Sequence, residues 1–502
     1  MKREEQIVSL RGALEWLKDE VKVLKAEVDP VLEVGAISKA FDDGPVFLAE
    51  NVKGYPHARM IINFWGKRSR AAKLFGVDSY GEAKFKVREA VNKPIPPKEV
   101  KEAPCHEIVI PAKEADIFAL LPMAKHTEAD GGRFFGSGVF HISGKYCEGG
   151  SQLALYRMSF RGKDYASINM VPGGHGDRIA EKFSSEKIPC TVNICPPPMV
   201  ELMGIGSFFS AIFPRLNELG IAGALQGSPV EIVKAKTVDA YTIANSEWTL
   251  EGYIVPYERV WETEEAEKLG QQGVAPFHPE WPRYLGRAYR ARKFELTAVT
   301  RRKDKPIYYY PHLPNGGEAP FVTLSASWYE LAERIAPGFV VDVNNAMWLT
   351  SWGAVIFQVK KRRRSDEGLQ RNLLAAALGL VRGLRIAIVI DEDVNINSPE
   401  DIMWALVTRV NPSHDIVFGV GARGQAYQPA ERAGAGEAGV SAFEGGIGID
   451  ATVPLGLREQ FTRGRFAVDK TDFSKWFTDA EIRAMKAQQG EYYRWLGETG
   501  YC

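Results

Sequence analysis

Between Glu107 and Pro311 the chain carries one short β-type run after another: HEIVIPA, GSGVFHISG, QLALYRMSF, ASINMVP, CTVNIC, DAYTIANSEWTLEGYIVP and FELTAVTRR. Each run is rich in β-branched or aromatic residues, as strands are. Helical segments interrupt them twice, once after His175 and once after Pro196-Pro197-Pro198. So dense a succession of strands constrains the middle of the chain to a β-barrel core with helical excursions.

The flanks read differently. Residues 1–35 are expected to form an amphipathic helix, followed by a strand at Val46–Ala49 and a helix around Ser69–Leu74. The proline- and lysine-rich stretch Asn92–Pro104 is expected to be a linker. Beyond Ala319 come a helix (Trp328–Ile335), strands FVVDVNN and AVIFQVK, a helix from Asp366 to Leu380, and the strand RIAIVID. The helix SPEDIMWALVTRV comes next, with Ser398 as its N-cap. Strands alternating with helices predict an α/β layer. The segment DAEIRAMKAQQGEYYRWLGE is an amphipathic helix, exposed unless it packs on another subunit or back on its own. At 502 residues the chain is too long for one core. The expected division is 1–105, an N-terminal α/β region; 106–315, the β-rich centre; 316–470, a C-terminal α/β domain; and 471–502, a helical tail.

Hydrophobic residues make up 45% and charged residues 25%, with a formal net charge of zero. Those proportions are ordinary for a soluble globular protein. No global field recruits nucleic acid or an acidic membrane, and the basic run Lys360–Arg364 is read as a solvated face. Five cysteines without CxxC spacing argue for a reducing compartment. The opening MKREEQIVSLRGALEWLKDE has no uninterrupted apolar stretch of the signal-peptide kind. The apolar run Leu373–Val381 is too short to span a bilayer. A soluble, cytoplasmic protein is expected.

Chemistry-bearing residues are scattered through the β-rich centre. Gln152 lies in a mostly apolar strand. His175 follows two glycines and opens a helix, and Glu247 sits in an alternating strand where Asn245, Glu247, Thr249 and Glu251 share a face. An amide oxygen, an imidazole and a carboxylate together form a hard-to-borderline ligand set that suits Mn²⁺ or Mg²⁺ better than zinc or copper. Neither HExxH nor a P-loop is present, which leaves a metalloprotease or an NTPase unsupported. Arg157 offers a planar pair of donors for a carboxylate. Its odd spacing from Gln152 puts the two on opposite faces of an ideal strand, so one site for both requires a bulge or twist. Glu280 stands in the loop FHPEWPRYLGR, where pressure from Trp281 and an aromatic ligand would favour its acid form and equip it to deliver a proton.

The succession of YR, a glycine-flanked histidine, SExxLEG, a PExP…G loop, VKKRRRSDEG, IDEDVN, WALVTR and GIGIDATVP resembles the UbiD family of reversible decarboxylases across nearly the whole chain. The resemblance is to the branch acting on hydroxylated or otherwise polar aromatic acids. It implies an α/β (α+β) protein with an N-terminal α/β part, a central flavin-binding split β-barrel, and a C-terminal α/β domain whose helical tail mediates dimerisation. It implies prenylated FMN held through Mn²⁺ (or Mg²⁺), with K⁺ nearby, and a flavin prenyltransferase to supply the cofactor. By position the metal ligands would be Gln152, His175 and Glu247. The cofactor cradle would comprise Gln152, Leu153, Ala154, Leu155, Tyr156, Arg157, Gly174, His175 and Glu247. The implied reaction is non-oxidative, reversible decarboxylation of an aromatic or conjugated acid by a homodimer or higher homo-oligomer, with no nucleic-acid or membrane partner.

Two departures from the family pattern bear on this. Gln152 replaces the commoner Asn, one methylene shorter. Where the loop glutamate is usually followed, through a glycine, by a second acid, this chain reads GRAY, with Arg287. The catalytic set would then be Arg157, Glu280 and Arg287, summing to +1, and like charges near 4 Å repel by about 4 kcal/mol at an effective dielectric of about 20. Arg287 is therefore expected either to point away or to bind a second anionic group on the substrate. Two alternatives stay open: a carboxylase, or subunit of a carboxylase complex, in aromatic degradation, and a cofactor-binding paralogue that lost its chemistry with the second acid.

Overall fold

The computed structural model describes residues 2–206, 212–213, 215–280, 283–310, 321–345, 353–381, 383–422 and 444–501. Trp281, expected above Glu280, lies outside them. The chain divides into two compact units, the first built on residues 1–328 and the second on most of residues 329–502.

The centre of the first unit is an antiparallel sheet of eight strands: β1 (Ile108–Pro111), β2 (Gly138–Ser143), β3 (Ser151–Leu155), β4 (Arg157–Phe160), β5 (Tyr165–Asn169), β6 (Ile188–Ile194), β7 (Trp248–Trp261) and β8 (Arg290–Arg301). Their spatial order is β3-β2-β6-β7-β8-β5-β4, with β1 added on β8. The two ends of that path, β3 and β4, are consecutive in sequence and separated only by Tyr156. One residue spans at most about 7 Å between its neighbours' Cα atoms, so the sheet must curl until its edges approach each other. A bridge from Phe135 to Met158 draws β4 toward the entry to β2. The curl encloses a core that includes Phe140, Val192, Leu250 and Phe294, each wholly buried. The helices in its connections include α1 (His175–Lys182), α2 (Pro198–Ile205) and α3 (Glu218–Gln226). The first two were expected from the sequence and α3 was not.

Residues 1–35 do not form one amphipathic helix. Short helices at Arg3–Gln6 and Leu10–Trp16 give way to a strand at Val21–Leu24. The β-branched Val21 and Val23 favour extended backbone, and this strand pairs in parallel with Val46–Ala49. A four-stranded sheet results, continued by Arg59–Ile62 and closed by Ile307–Tyr309, which returns from beyond β8.

The second unit holds a five-stranded sheet in the order Val340–Asn344, Ala354–Val359, Ile386–Asp391, Glu444–Ala451, Ile416–Ala422. The helix Pro399–Arg409 begins as expected, with the Ser398 hydroxyl accepting from Asp401 N–H. The basic run is not uniformly solvated: Lys361 is 1% exposed, and its ammonium meets Glu367 at 3.2 Å and the Thr452 hydroxyl at 3.0 Å. The terminal segment forms two helices, Asp479–Gln488 and Glu491–Thr499, parted at Gly490. Among the described residues, no helix is long and apolar enough to cross a membrane.

Candidate functional site

The guanidinium of Arg157 organises the candidate centre. Arg157 begins β4 and is 8% exposed. Its Nε donates to Glu262 Oε1 at 2.8 Å and its Nη2 to Glu262 Oε2, a two-pronged pairing. Its Nη1 donates to Glu280 Oε1 at 2.5 Å, and Nη2 also reaches the carbonyl of Arg287 at 3.0 Å. The Phe277 ring lies beneath the cation, 4.1 Å from centroid to Cζ. A desolvated arginine held in this way is fixed in plane and position.

Glu262 was not anticipated from the sequence. It is 1% exposed, directly follows β7, and accepts Tyr289 N–H at 2.7 Å and the Asn169 amide at 3.3 Å. Glu280 is less buried, with 12% of its side chain exposed. Gly286 makes room for it, since a Cβ there would lie 2.8 Å from Glu280 Cγ. The expected trio with Arg287 is therefore corrected. The Arg287 guanidinium donates to the Val274 carbonyl at 3.0 Å, and only its backbone meets Arg157. The second acid is Glu262, and Arg157, Glu262 and Glu280 sum to −1. This also removes the structural ground for a second substrate anion at Arg287.

The odd spacing of Gln152 and Arg157 is resolved by Tyr156, which breaks the run into β3 and β4. Gln152 is 3% exposed; its Nε2 donates to the Tyr156 hydroxyl at 3.1 Å, and among the described residues its Oε1 is buried without a hydrogen-bond partner. The first turn of α1 packs against the same hydroxyl. A Cβ on Gly176 would lie 1.8 Å from Tyr156 Oη, so only glycine permits this approach. His175 heads that turn, with Gly174 as N-cap, and is exposed; crowding by its surroundings and then Arg178 hold its ring below the ordinary range. Arg292 on β8 anchors α1 through Asp177 at 2.8 Å and through Glu181.

Glu218 is the second residue that sequence reasoning missed. At the start of α3, it accepts the N–H of Leu153, the neighbour of Gln152. Loss of solvent around its carboxylate pushes its pKa up to about 8, a shift that a nearby cation would reverse.

Glu247, by contrast, does not join Gln152. Gly252 on β7 is level with Gln152 three strands away, and Glu247 lies five residues further along. Strand spacing and rise per residue make the gap on the order of 20 Å. Its wholly buried carboxylate is already satisfied by Arg11 at 2.8 and 2.9 Å, Arg302 at 3.3 Å and Ile307 N–H at 3.0 Å. Two arginines leave it no need of a metal ion. Its place in the expected ligand set and cofactor cradle is corrected to that of a structural ion pair.

Among the described residues, no group of three His, Cys, Asp or Glu side chains is preassembled for a metal. An amide oxygen such as Gln152 Oε1 is outside that count, and Glu218 accepts from the next residue along, Leu153.

Comparison with known proteins places this geometry in context. Residues 14–87, 98–315 and 322–451 match the N-terminal, Rift-related and C-terminal domains of the UbiD family, described as 3-octaprenyl-4-hydroxybenzoate carboxy-lyase. The chain is 32% identical to gallate decarboxylase of Lactiplantibacillus plantarum over 493 residues, covering 92% of this chain and 97% of that one. The apo structure of a 3,4-dihydroxybenzoic acid decarboxylase from Enterobacter cloacae superposes with a TM-score of 0.81 at 28% identity, covering 94% and 99% of the two chains. A UbiD-class enzyme from Pelotomaculum thermopropionicum in complex with FMN matches at a TM-score of 0.78 and 26% identity, covering 93% and 100%. An evolved dimeric form of that enzyme is known in complex with prenylated FMN, at a TM-score of 0.75 and 25% identity over 94% and 100%.

Proposed function

The chain belongs to the UbiD family of carboxy-lyases, and from that membership we propose that it is a prenylated-FMN-dependent decarboxylase of an aromatic acid, with hydroxylated benzoic acids as the first substrate class. The observation that carries the reading is the buried Arg157 shared between Glu262 and Glu280.

The residues present fit the cofactor. Gln152 Oε1 has an unspent lone pair, Glu218 has no cation beside it among the described residues, and the start of α1, which His175 opens, comes against the tyrosine that Gln152 contacts through Gly176. Gln152, His175 and Glu218 would hold a divalent ion, Mn²⁺ or Mg²⁺, with K⁺ nearby, and the N–H groups at the start of α1 suit the flavin phosphate. Leu153 to Arg157, with Gly174, would line the cradle, which belongs to a central flavin-binding split barrel. When bound, prenylated FMN supplies the electron sink that makes loss of CO₂ from a ring carbon feasible.

The protein's own residues position the acid and manage the proton. Arg157, pinned by Glu262, holds Glu280 at the edge of the site. Departure of CO₂ leaves a ring carbon that needs a proton: the Glu280 O–H bond breaks, the C–H bond forms, and the resulting carboxylate settles on Arg157 Nη1. The net change is carboxylate plus proton to arene plus CO₂. Carboxylation is the same path reversed at high CO₂. The inactive-paralogue reading loses its premise, because the acid thought missing is supplied by Glu262.

Self-association is part of the reading. The C-terminal segment exposes Phe466, Trp476, Phe477 and Tyr493, an apolar set that monomers rarely leave uncovered. The tail at 471–502 would pair copies into a dimer or larger homo-oligomer. A flavin prenyltransferase would supply the cofactor.

The test is co-expression with a prenylating partner, then the mass and visible spectrum of the bound flavin and a screen of hydroxylated benzoates for CO₂ release. Bound prenylated flavin with CO₂ release supports the reading. Protein that takes up no flavin overturns it.

A further inference from the structure

The short strand Pro276–Pro279 places His278 directly behind Glu280, and the decarboxylation chemistry makes no use of it. Its ring is 2% exposed, stacked on Phe134 at 3.8 Å between ring centres and tilted against His126 at 5.9 Å. Nδ1 lies 2.7 Å from the carbonyl oxygen of Pro279. A carbonyl can only accept, so Nδ1 carries the hydrogen and Nε2 the lone pair. Among the described residues Nε2 is buried without a hydrogen-bond partner, and it faces Glu280 Oε1 at 3.9 Å.

We propose that His278 is a positioning residue whose bare Nε2 accepts a hydrogen bond from the protonated carboxyl of Glu280. The carboxyl then has two stations. Ionised, it rests on Arg157 Nη1 at 2.5 Å. Protonated, it turns its O–H to Nε2, a movement of about 1 Å from the present distance to an ordinary hydrogen bond. Gly286 keeps that swing open, since a Cβ there would stand 3.2 Å from Glu280 Oε1. When the proton passes to the ring carbon, the O–H···N bond is lost and the carboxylate returns to Arg157.

The surroundings keep the imidazole neutral, as an acceptor must be. Burial foremost, then Arg157 and His126, holds it well below its ordinary range. Of the other titratable groups nearby, Asp130 is engaged by His126 at 3.2 Å, the Tyr310 ring is tilted against His126 at 5.1 Å, and Glu262 is committed to Arg157. None competes for Nε2.

This inference rests on Glu280 being the proton donor. His278→Phe keeps the stack on Phe134 and deletes the acceptor, whereas His278→Gln returns an amide oxygen to the ε position. With flavin content and melting temperature unchanged, the Phe variant is expected to lose kcat about tenfold, less than the roughly hundredfold or more of a lost general acid, because Glu280 itself remains. KM should barely move, and the alkaline limb of kcat should shift to lower pH because the acid form has lost its partner. The Gln variant should recover much of both. An unmoved limb, or Gln no better than Phe, overturns the proposal.

A second readout needs no turnover. In histidine-¹⁵N-labelled protein, the signal lost in His278→Phe should report a neutral ring protonated at Nδ1, and protonation at Nε2 overturns the proposal by itself. Wild-type protein that releases no CO₂ overturns the proton-donor reading and this one together. Release of CO₂ with the Nε2–H tautomer overturns this one alone.

Discussion

Replacing Glu262 with glutamine probes the charge arithmetic of the site. Glu262 and Glu280 grip the same guanidinium, Glu262 at 2.8 Å and Glu280 at 2.5 Å, and hydrogen bonds of ordinary geometry on two sides of one guanidinium put the carboxylates on the order of 7 Å apart. Two like charges at that separation repel by about 2.4 kcal/mol at an effective dielectric of about 20. That repulsion favours the acid form of Glu280. With Glu262 neutral, Glu280 is the carboxylate left on Arg157 among the described residues and stays ionised, and the population able to give a proton falls by about 60-fold. The same substitution weakens a buried ion pair, and stability should drop by about 3 kcal/mol, the low end for breaking such pairs, because the amide retains one hydrogen bond. The assay is kcat for CO₂ release against pH, in protein whose flavin content matches wild type. Expected is a fall of about 60-fold near neutrality, with the alkaline limb moved down by about 1.8 pH units. An E262Q enzyme within a factor of about three of wild type, with its alkaline limb in place, would refute the reasoning.

Other perturbations separate the remaining parts of the site. Glu218→Gln should lower the divalent metal retained after dialysis about tenfold or more, measured by elemental analysis, as loss of a carboxylate ligand does. Glu247→Gln should leave metal and flavin content unchanged and lower stability by about 3 kcal/mol in denaturant titration, the low end for breaking a buried pair, because Arg302 loses its carboxylate while Arg11 keeps Asp304. Arg287→Ala should change kcat by no more than about twofold on mono- and dianionic acids alike, as for a surface side chain. Glu201 lies wholly within the core, and burial pushes its pKa up to about 8 despite the indole of Trp65 beside it. Its folded pKa exceeds the unfolded value near 4.3, so stability is lost as pH climbs between the two. Glu201→Gln should therefore be neutral below about pH 4 and stabilising by about 3–5 kcal/mol at pH 8 in chemical denaturation.

How far the sequence could be read depended on how local each signal is. The strands of the centre announce themselves through β-branched runs, the helices at His175 and Pro198 through glycine and proline, and the cap at Ser398 through its own side chain. Arg157 and Glu280 were legible because the loop around Glu280 looks built to hold a side chain over a site. Glu262 was not, because it opens the acidic segment ETEEAE, which reads as the solvated start of a helix; Thr263 does cap the helix Glu264–Leu269. Glu218 was hidden in the same way, as an ordinary first-turn acid after the cap Asn217. Glu247 misled for the opposite reason. A carboxylate on a strand looked uncompensated because Arg11 reaches it from 236 positions away in the chain, and no spacing rule registers a partner so distant. A buried acid announces itself only when its partners are in view, so the carboxylates were the hardest residues to assign from sequence.

The most direct measurement is ¹³CO₂ release from carboxyl-labelled hydroxybenzoates by protein loaded with prenylated flavin, compared with Glu280→Gln loaded to the same level. Expected is labelled CO₂ matched mole for mole by the arene in the wild type, falling by at least about 100-fold in the variant, as for a lost general acid. Undiminished release by the variant, or none from fully loaded wild type with any member of the panel, would contradict the assignment of proton donor and reaction.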